Sequence, residues 1–336
     1  MCTAITIPTL QGETFFGRTM DFSYPLEPEL FISPRGREWN NLSATHKICN
    51  RYSFIGTGQS LPPIIFADGV NEMGFAAAML YFPGYARYDS AEPGDSGKPP
   101  IAGLELVGLL LGLCASVDQA ASILDTIRIV GQEDPVTRTV APLHWILADQ
   151  SGACMTLEKT EDGLHLMENP IGVLTNSPDF SWHMTNLRNY MNLSPWQQAE
   201  ASWGTVVLTP FGQGAGTMGL PGDFTPPSRF VRAAYLKSHS PVPQDWAEAV
   251  NTGFQILGNV SLPRGAVVTD RGQDDYTQYT AMMDLSGKEY FFRSYDNGRI
   301  ASARLIPGYD YGTEMVSLGK LDRPAVIDSL DPVSNQ

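Results

Sequence analysis

Position 2 of this 336-residue chain, in the opening "MCTAITIP", holds the residue best placed to do chemistry. It is a cysteine directly behind the initiator methionine. Aminopeptidases remove Met1 when a small residue follows, and Cys2 would then carry a free α-amino group. An α-amine has a pKa of about 7.7–8.0 and a free thiol about 8.5. A base whose pKa lies near ambient pH suits proton transfer. Nucleophile and general base would then sit on one residue, with no histidine needed. The plain alternative is a cysteine that merely begins a strand.

Other chemistries find little support. The histidines at 46, 144, 165, 183 and 239 form neither H-x-x-H nor H-E-x-x-H, so no metal is expected. There is no G-x-S-x-G and no G-x-x-x-x-G-K-[ST]. Gly214, Gly216 and Gly219 match G-x-G-x-x-G, but Pro221, Gly222, Pro226 and Pro227 follow. A helix cannot open there, so the stretch reads as a glycine-rich loop and no organic cofactor is expected. Cys49, Cys114 and Cys154 show no C-x-x-C spacing, and a reducing, cytoplasmic compartment is expected. Cys114 and Cys154 lie in apolar runs and read as inert core thiols. The net charge of −14 disfavours nucleic acid and anionic membranes as partners. No basic, apolar leader stands before Cys2, and "IAGLELVGLLLGLCA" (101–115) is too short to span a bilayer. It reads as a buried helix, with Gly108 and Gly112 allowing close packing.

What must position Cys2 is the strand pair it opens. "TAITIP" alternates, "TLQGET" turns and "FFGRTMDF" returns. A turn centred on Gln11-Gly12 places Cys2 opposite Asp21, with Arg18 within reach. A cation beside the thiol favours thiolate, and a carboxylate can hold the amine. Positions 18 and 21 face opposite sides of a regular strand, however. Either the strand ends near Met20, or a bulge re-aims one of the two. Further strands are expected in "YSFIGTG", "PIIFAD", "FAAAMLYF", "LHWILAD", "ACMTLEK", "GLHLME", "GVLTN", "YTAMMDL", "KEYFFRSYD" and "IASARLI". Helices are expected within 101–129, with Ser116 and Gln119 as a capping box, and at 181–191, 228–239 and 243–256. A polar loop spans 86–100. Hairpins interrupted by helical blocks predict one α+β domain over 2–336.

The motifs "MCT", "GRTMDF", "DGVNEMG", "YFPGYA", "VLTNSPDF", "LPGDFTPPSRF" and "YTQYT" run in order from residue 2 to about residue 300. In this the chain resembles the choloylglycine hydrolases, the bile salt hydrolases and penicillin V acylases with cysteine N-terminal nucleophiles. The resemblance implies a four-layer αββα sandwich of two antiparallel sheets, a homotetramer and no cofactor. It implies Cys2 as nucleophile and its amine as base. Arg18 would steady the thiol and Asp21 would bond the amine. Asn176 would donate its amide to the oxyanion, together with the Tyr81 backbone N–H, and Arg229 would complete the polar network.

Tyr81 stands where penicillin V acylases of the Gram-positive type carry Tyr and bile salt hydrolases generally carry Asn. On that resemblance the expected reaction is removal of the phenoxyacetyl side chain of penicillin V through a Cys2 thioester. Bile salt hydrolysis and cleavage of acyl homoserine lactones are the alternatives on the same machinery. Outside it stand a ligand-binding protein that keeps Met1, and a Cys–His hydrolase pairing Cys2 with His144 or His183.

Overall fold

The computed structural model of the chain describes residues 1–60, 63–91, 97–134, 137–306 and 308–327. The expected loop at 86–100 therefore lies partly outside the described residues. Fourteen strands build two antiparallel sheets. The first sheet takes β1 (Cys2–Pro8), β2 (Thr14–Phe22), β10 (Val173–Leu174), β11 (Tyr276–Asp284), β12 (Glu289–Ser294) and β13 (Ala301–Arg304). Its order is β10-β1-β2-β11-β12-β13. The second takes β3 (Glu29–Ser33), β4 (Phe54–Gly58), β5 (Phe66–Asn71), β6 (Phe75–Tyr81), β7 (Leu143–Asp149), β8 (Cys154–Thr160), β9 (Gly163–Glu168) and β14 (Val316–Lys320). Its order is β9-β8-β7-β6-β5-β4-β3-β14.

Helices cover the outer faces. Helices α1 (Leu106–Leu113) and α2 (Val117–Leu124) pack on the second sheet, and α4 (Pro226–His239) and α5 (Trp246–Gly258) on the first. The result is the four-layer αββα sandwich expected above. One apolar core fills the space between the sheets and beneath α4 and α5, and a second lies under α1 and α2. The approach of α5 is close: the Met282 side chain occupies the space that a Cβ at Gly17 or Gly253 would need. No helix among the described residues is long and apolar enough to cross a membrane.

The apolar run at 101–115 is shorter as a helix than expected. It opens as a short strand at Pro100–Ala102 and a 3-10 turn at Gly103–Glu105 before α1 begins. The Asn71 side chain then terminates α1 by donating to the carbonyls of Leu111 and Cys114, at 2.9 and 2.6 Å. The Asn50 side chain fills the space beside Gly112. Ser116 caps α2 through the Gln119 N–H, as the sequence predicts. Helix α3 (Phe180–Asn186) passes into a 3-10 turn, so the helix expected at 181–191 is half α-helical. The glycine-rich stretch opens no α-helix, only a 3-10 turn at Ala215–Thr217.

The β1–β2 register differs by one residue from the expectation. Cys2 lies opposite Met20, and Ala4 opposite Arg18. The connection is a five-residue loop over 9–13, centred on Gln11 and closed by Thr9 N–H to Glu13 O at 2.9 Å. Gly12 holds the left-handed conformation there, at φ +83°. That single slip exchanges faces. Cys2 and Arg18 share the face turned toward the second sheet. Thr3, Thr19 and Asp21 share the face turned toward α4 and α5.

Candidate active site

The thiol of Cys2 is buried, 4 % exposed, at the start of β1. The Nη2 of Arg18 donates to Sγ at 2.9 Å. Among the described residues the other sulfur contact is Met20 Sδ at 4.0 Å. Arg18 is itself wholly buried, and its Nη1 reaches Asp68 Oδ2 at 3.2 Å. Burial alone would lower the Arg18 pKa, but the negative charge of the Cys2 thiolate and of Asp68 raises it, so the guanidinium stays charged. Asp68 is held in turn by the hydroxyls of Tyr279 and Tyr290, each donating at 2.6 Å. The buried carboxylate therefore meets three donors, which holds Arg18 in the pose that aims Nη2 at the thiol.

Asp21 lies on the other face: β2 runs regularly to Phe22, so neither a strand end near Met20 nor a bulge in β2 re-aims it, and the register shift beside it belongs to the neighbouring strand. In β11 the register shifts between Thr277 and Tyr279. Residues two apart in a regular strand share a face, and this shift separates them. Thr277 then donates to Asp21 Oδ1 at 2.6 Å on the helix side. Tyr279 reaches Asp68 on the sheet side. One irregularity thus serves both faces of β2. Asp21 Oδ2 also accepts from Thr19 Oγ1 at 3.2 Å and lies 3.8 Å from Arg229 Nη1. Burial pushes the Asp21 carboxyl above its ordinary range, against the pull of Arg229 and the N-terminal amine.

Arg229, in the first turns of α4, is wholly buried and spends its fork on the start of β1. Its Nη1 donates to Cys2 O at 2.6 Å and to Thr3 Oγ1 at 2.7 Å. Its Nη2 donates to Asn176 Oδ1 at 2.6 Å and its Nε to Phe224 O at 3.0 Å. Asn176 follows β10, the neighbour of β1. Its Oδ1 also accepts the Cys2 N–H at 2.9 Å, so two donors settle which way the amide faces. The Nδ2 donates one hydrogen to Tyr81 O at 2.7 Å. Its second hydrogen remains for a ligand.

Tyr81 ends β6. Phe82 N–H donates to Pro142 O at 2.7 Å, and Leu143 N–H to the Tyr88 hydroxyl at 2.8 Å. The opposed Tyr81–Leu143 pair is therefore a rung without mutual hydrogen bonds, and the polar groups of Tyr81 turn away from β7. Its C=O meets Asn176 on that side, and its N–H points the same way. The Tyr81 side chain is 38 % exposed, so the residue enters this cluster through its backbone.

All six residues singled out in the sequence, Cys2, Arg18, Asp21, Tyr81, Asn176 and Arg229, meet in one cluster. Sequence reasoning missed Asp68, Thr277, Tyr279 and Tyr290 as members of it, though the first three stand inside the quoted motifs "DGVNEMG" and "YTQYT". It also missed Asp275, whose Oδ2 pairs with the Met1 amine at 3.3 Å. Met1 continues β1 past Cys2: its amine donates to Asp21 O at 2.6 Å, and its carbonyl accepts from Asp21 N–H at 3.0 Å. Neither His144 nor His183 touches the thiol. Their ring nitrogens bond the carbonyls of Thr175 and Asn176, at 2.9 and 2.8 Å. Burial pushes the thiols of Cys114 and Cys154 up to about 12, which makes both inert as expected. Among the described residues no group of three or more His, Cys, Asp or Glu side chains is arranged to hold a metal.

Residues 2–308 match the family model of linear amide C–N hydrolases, choloylglycine hydrolase family. The chain is 35 % identical to a bile salt hydrolase/transferase of Clostridium perfringens, over 89 % of this chain and 91 % of that protein. It is 33 % identical to a conjugated bile acid hydrolase of Lactobacillus acidophilus, over 91 % of this chain and 96 % of that one. The crystal structure of a mutant conjugated bile acid hydrolase of Clostridium perfringens superposes with a TM-score of 0.91, covering 98 % of this chain and all of that one at 33 % identity. These findings overturn the placement beside the penicillin V acylases. A penicillin V acylase of Pectobacterium atrosepticum is 28 % identical, over 68 % of this chain and 58 % of that protein. The physical reason lies in Tyr81: a residue that meets the cluster through its backbone leaves its side chain free to vary, so one side chain there discriminates poorly.

Proposed function

The chain belongs to the choloylglycine hydrolase family and is an amidohydrolase acting on linear, non-peptide C–N bonds, and from that premise we propose that it hydrolyses conjugated bile salts. The bile salt hydrolases of the preceding comparison, matched over nine-tenths or more of both chains or nearly so, support this substrate above penicillin V. For the mechanism, one observation carries the reading. The buried Cys2 thiol has a guanidinium 2.9 Å away, and its own backbone nitrogen stands 2.9 Å from Asn176 Oδ1.

Excision of Met1 turns that nitrogen into an amine within a domain running from residue 2. The amine takes the thiol proton, and Arg18 steadies the thiolate. Sulfur attacks the amide carbonyl, and the electron pair moves to oxygen. The second Nδ2 hydrogen of Asn176 and the Tyr81 N–H receive that oxyanion. Arg229 and Asp21 hold Asn176 and the N-terminus in place. The Cys2 ammonium returns its proton to the departing glycine or taurine nitrogen as the C–N bond breaks. Water, deprotonated by the same amine, then attacks the thioester, and the bile acid leaves with the thiol restored.

Two broader expectations join the proposal. A homotetramer is supported by an exposed apolar projection around the hairpin Ala201–Trp203 and Val206–Leu208, where Trp203, Val207 and Phe211 stand in solvent. A reducing, cytoplasmic setting is supported by four free cysteines. The test of substrate is the ratio of kcat/KM for glycocholate to that for penicillin V, measured on one preparation. A ratio well above one is expected, and a ratio well below one contradicts the bile salt reading.

A further inference from the structure

His144 and His183 are wholly buried, yet neither reaches the thiol. Each does two things of the same kind. His144 stacks on Phe82, with ring centroids 4.2 Å apart and planes 8° from parallel. Its Nε2 lies 2.9 Å from Thr175 O. His183 stacks on Phe230 at 4.6 Å and 12°, and its Nε2 lies 2.8 Å from Asn176 O. Phe82 directly follows Tyr81, and Phe230 directly follows Arg229. Thr175 and Asn176 are consecutive. The two rings therefore link, on one side, the strand end that carries the Tyr81 N–H to the segment that carries Asn176. On the other side they link that same segment to the helix that carries Arg229.

A carbonyl oxygen only accepts, so Nε2 carries the hydrogen in both histidines. Burial pushes the His183 imidazole down to about 4, which keeps it neutral as that tautomer near neutral pH, and its Nδ1 has no hydrogen-bond partner among the described residues. His144 is held more firmly. Its Nδ1 faces Glu158 Oε1 at 3.1 Å, and the same oxygen accepts the Phe180 N–H that opens α3 at 3.0 Å. A proton must lie between Nδ1 and the carboxylate, which locks the ring in orientation.

We propose that His144 and His183 are positioning residues for the oxyanion donors, one ring tying Asn176 to Tyr81 and the other tying Asn176 to Arg229. The proposal rests on the reading of Asn176 and Tyr81 as those donors. Neither histidine exchanges a proton with substrate. Each fixes the backbone from which a donor projects, and the donor's aim is what the reaction uses.

The test compares two reactions of Cys2. Hydrolysis of glycocholate builds an oxyanion, whereas alkylation of the thiol by iodoacetamide builds none. His183→Phe keeps a ring on Phe230 and removes one hydrogen bond. It is expected to lower kcat about 10- to 100-fold while KM and the alkylation rate change by less than about threefold. His183→Gln restores a donor and is expected to recover most of the loss. His144→Phe likewise keeps a ring on Phe82 and removes the donor for Thr175 O, and should lower kcat with alkylation intact. Asn176→Ala is the reference, expected to lose about 10²–10³ in kcat. If Asn176→Ala lowers hydrolysis relative to alkylation but His183→Phe and His144→Phe do not, the positioning role is overturned and the oxyanion reading stands. If Asn176→Ala leaves that ratio unchanged, the oxyanion reading fails and the positioning role falls with it. A His183→Gln variant as slow as His183→Phe also overturns the role, since the hydrogen bond would then not be the device.

Discussion

Replacing Arg229 by lysine keeps the charge and removes the fork, which makes it the sharpest probe of the site. Arg229 makes four hydrogen bonds, to Cys2 O, Thr3 Oγ1, Asn176 Oδ1 and Phe224 O, between 2.6 and 3.0 Å. An ammonium at the place of Nη1 keeps the first two and the ion pair with Asp21, which lies 3.8 Å from that atom. It cannot reach Asn176 or Phe224 at the same time. Hydrogen bonds to charged groups contribute about 1.5–3 kcal/mol each, so two losses destabilise the fold by about 3–6 kcal/mol at most, less whatever water recovers. The catalytic effect is separate. Asn176 Oδ1 loses its charged donor and keeps only the Cys2 N–H, so the amide gains freedom and its Nδ2 hydrogen loses its aim. The ceiling on that loss is one oxyanion donor, about 10²–10³ in kcat. Arg229→Lys is therefore expected to lower kcat on glycocholate by about 10²-fold, with the iodoacetamide rate of Cys2 nearly unchanged. Placed in an Asn176→Ala background, the same substitution should cost little more, because the donor it misaligns is already gone. A kcat within about threefold of wild type, or equal losses in both backgrounds, would refute the reasoning.

Asp68→Asn is expected to leave Arg18 charged and buried without its anion, and to destabilise the protein by about 3–5 kcal/mol in urea unfolding; an unchanged midpoint would contradict the buried-pair account. Tyr290→Phe strips one of two tyrosine donors from Asp68 and should cost about 1–3 kcal/mol while Cys2 still alkylates at near the wild-type rate; a thiol that ceases to react would show that Asp68 Oδ1 matters to Arg18 as much as Oδ2. Glu105 is 9 % exposed, and burial raises its carboxyl to about 7 from an ordinary 4.5. A value raised in the folded state means stability present at low pH and lost as pH climbs from about 4.5 through about 7, a decline of about 3 kcal/mol from this group. Glu105→Gln should flatten that decline between about pH 5 and pH 8 in urea titrations; the same slope in the variant would assign it elsewhere.

Much of the site was legible because its residues stand in contiguous motifs whose types match their tasks. Cys2 announced itself by address, and Arg18 and Asp21 by the hairpin that returns to it. What could not be read was the face each occupies. The five-residue loop at 9–13 sets the β1–β2 register, and one residue of slip decides whether Arg18 or Asp21 shares a side with the thiol. No bulge re-aims Arg18 or Asp21, which keep opposite faces; the bulge that occurs lies in β11, a strand far along the chain beside β2, and it separates Thr277 from Tyr279 instead. Asp68, Tyr279 and Tyr290 were illegible for the same reason. They meet only when the two sheets stack, and nothing local marks a tyrosine hydroxyl destined for a buried carboxylate. The substrate branch was misjudged at Tyr81, where the chemistry uses the peptide group and leaves the ring unconstrained.

The central claim is that Cys2, freed of Met1, carries the acyl group. The direct measurement is the intact mass of the enzyme quenched in acid during turnover of glycocholate, followed by peptide mapping. The account predicts a chain that begins at Cys2 and bears a cholyl thioester on its first peptide, absent in Cys2→Ala. A fully active protein that retains Met1, or an acyl group mapped to any other residue, would contradict it.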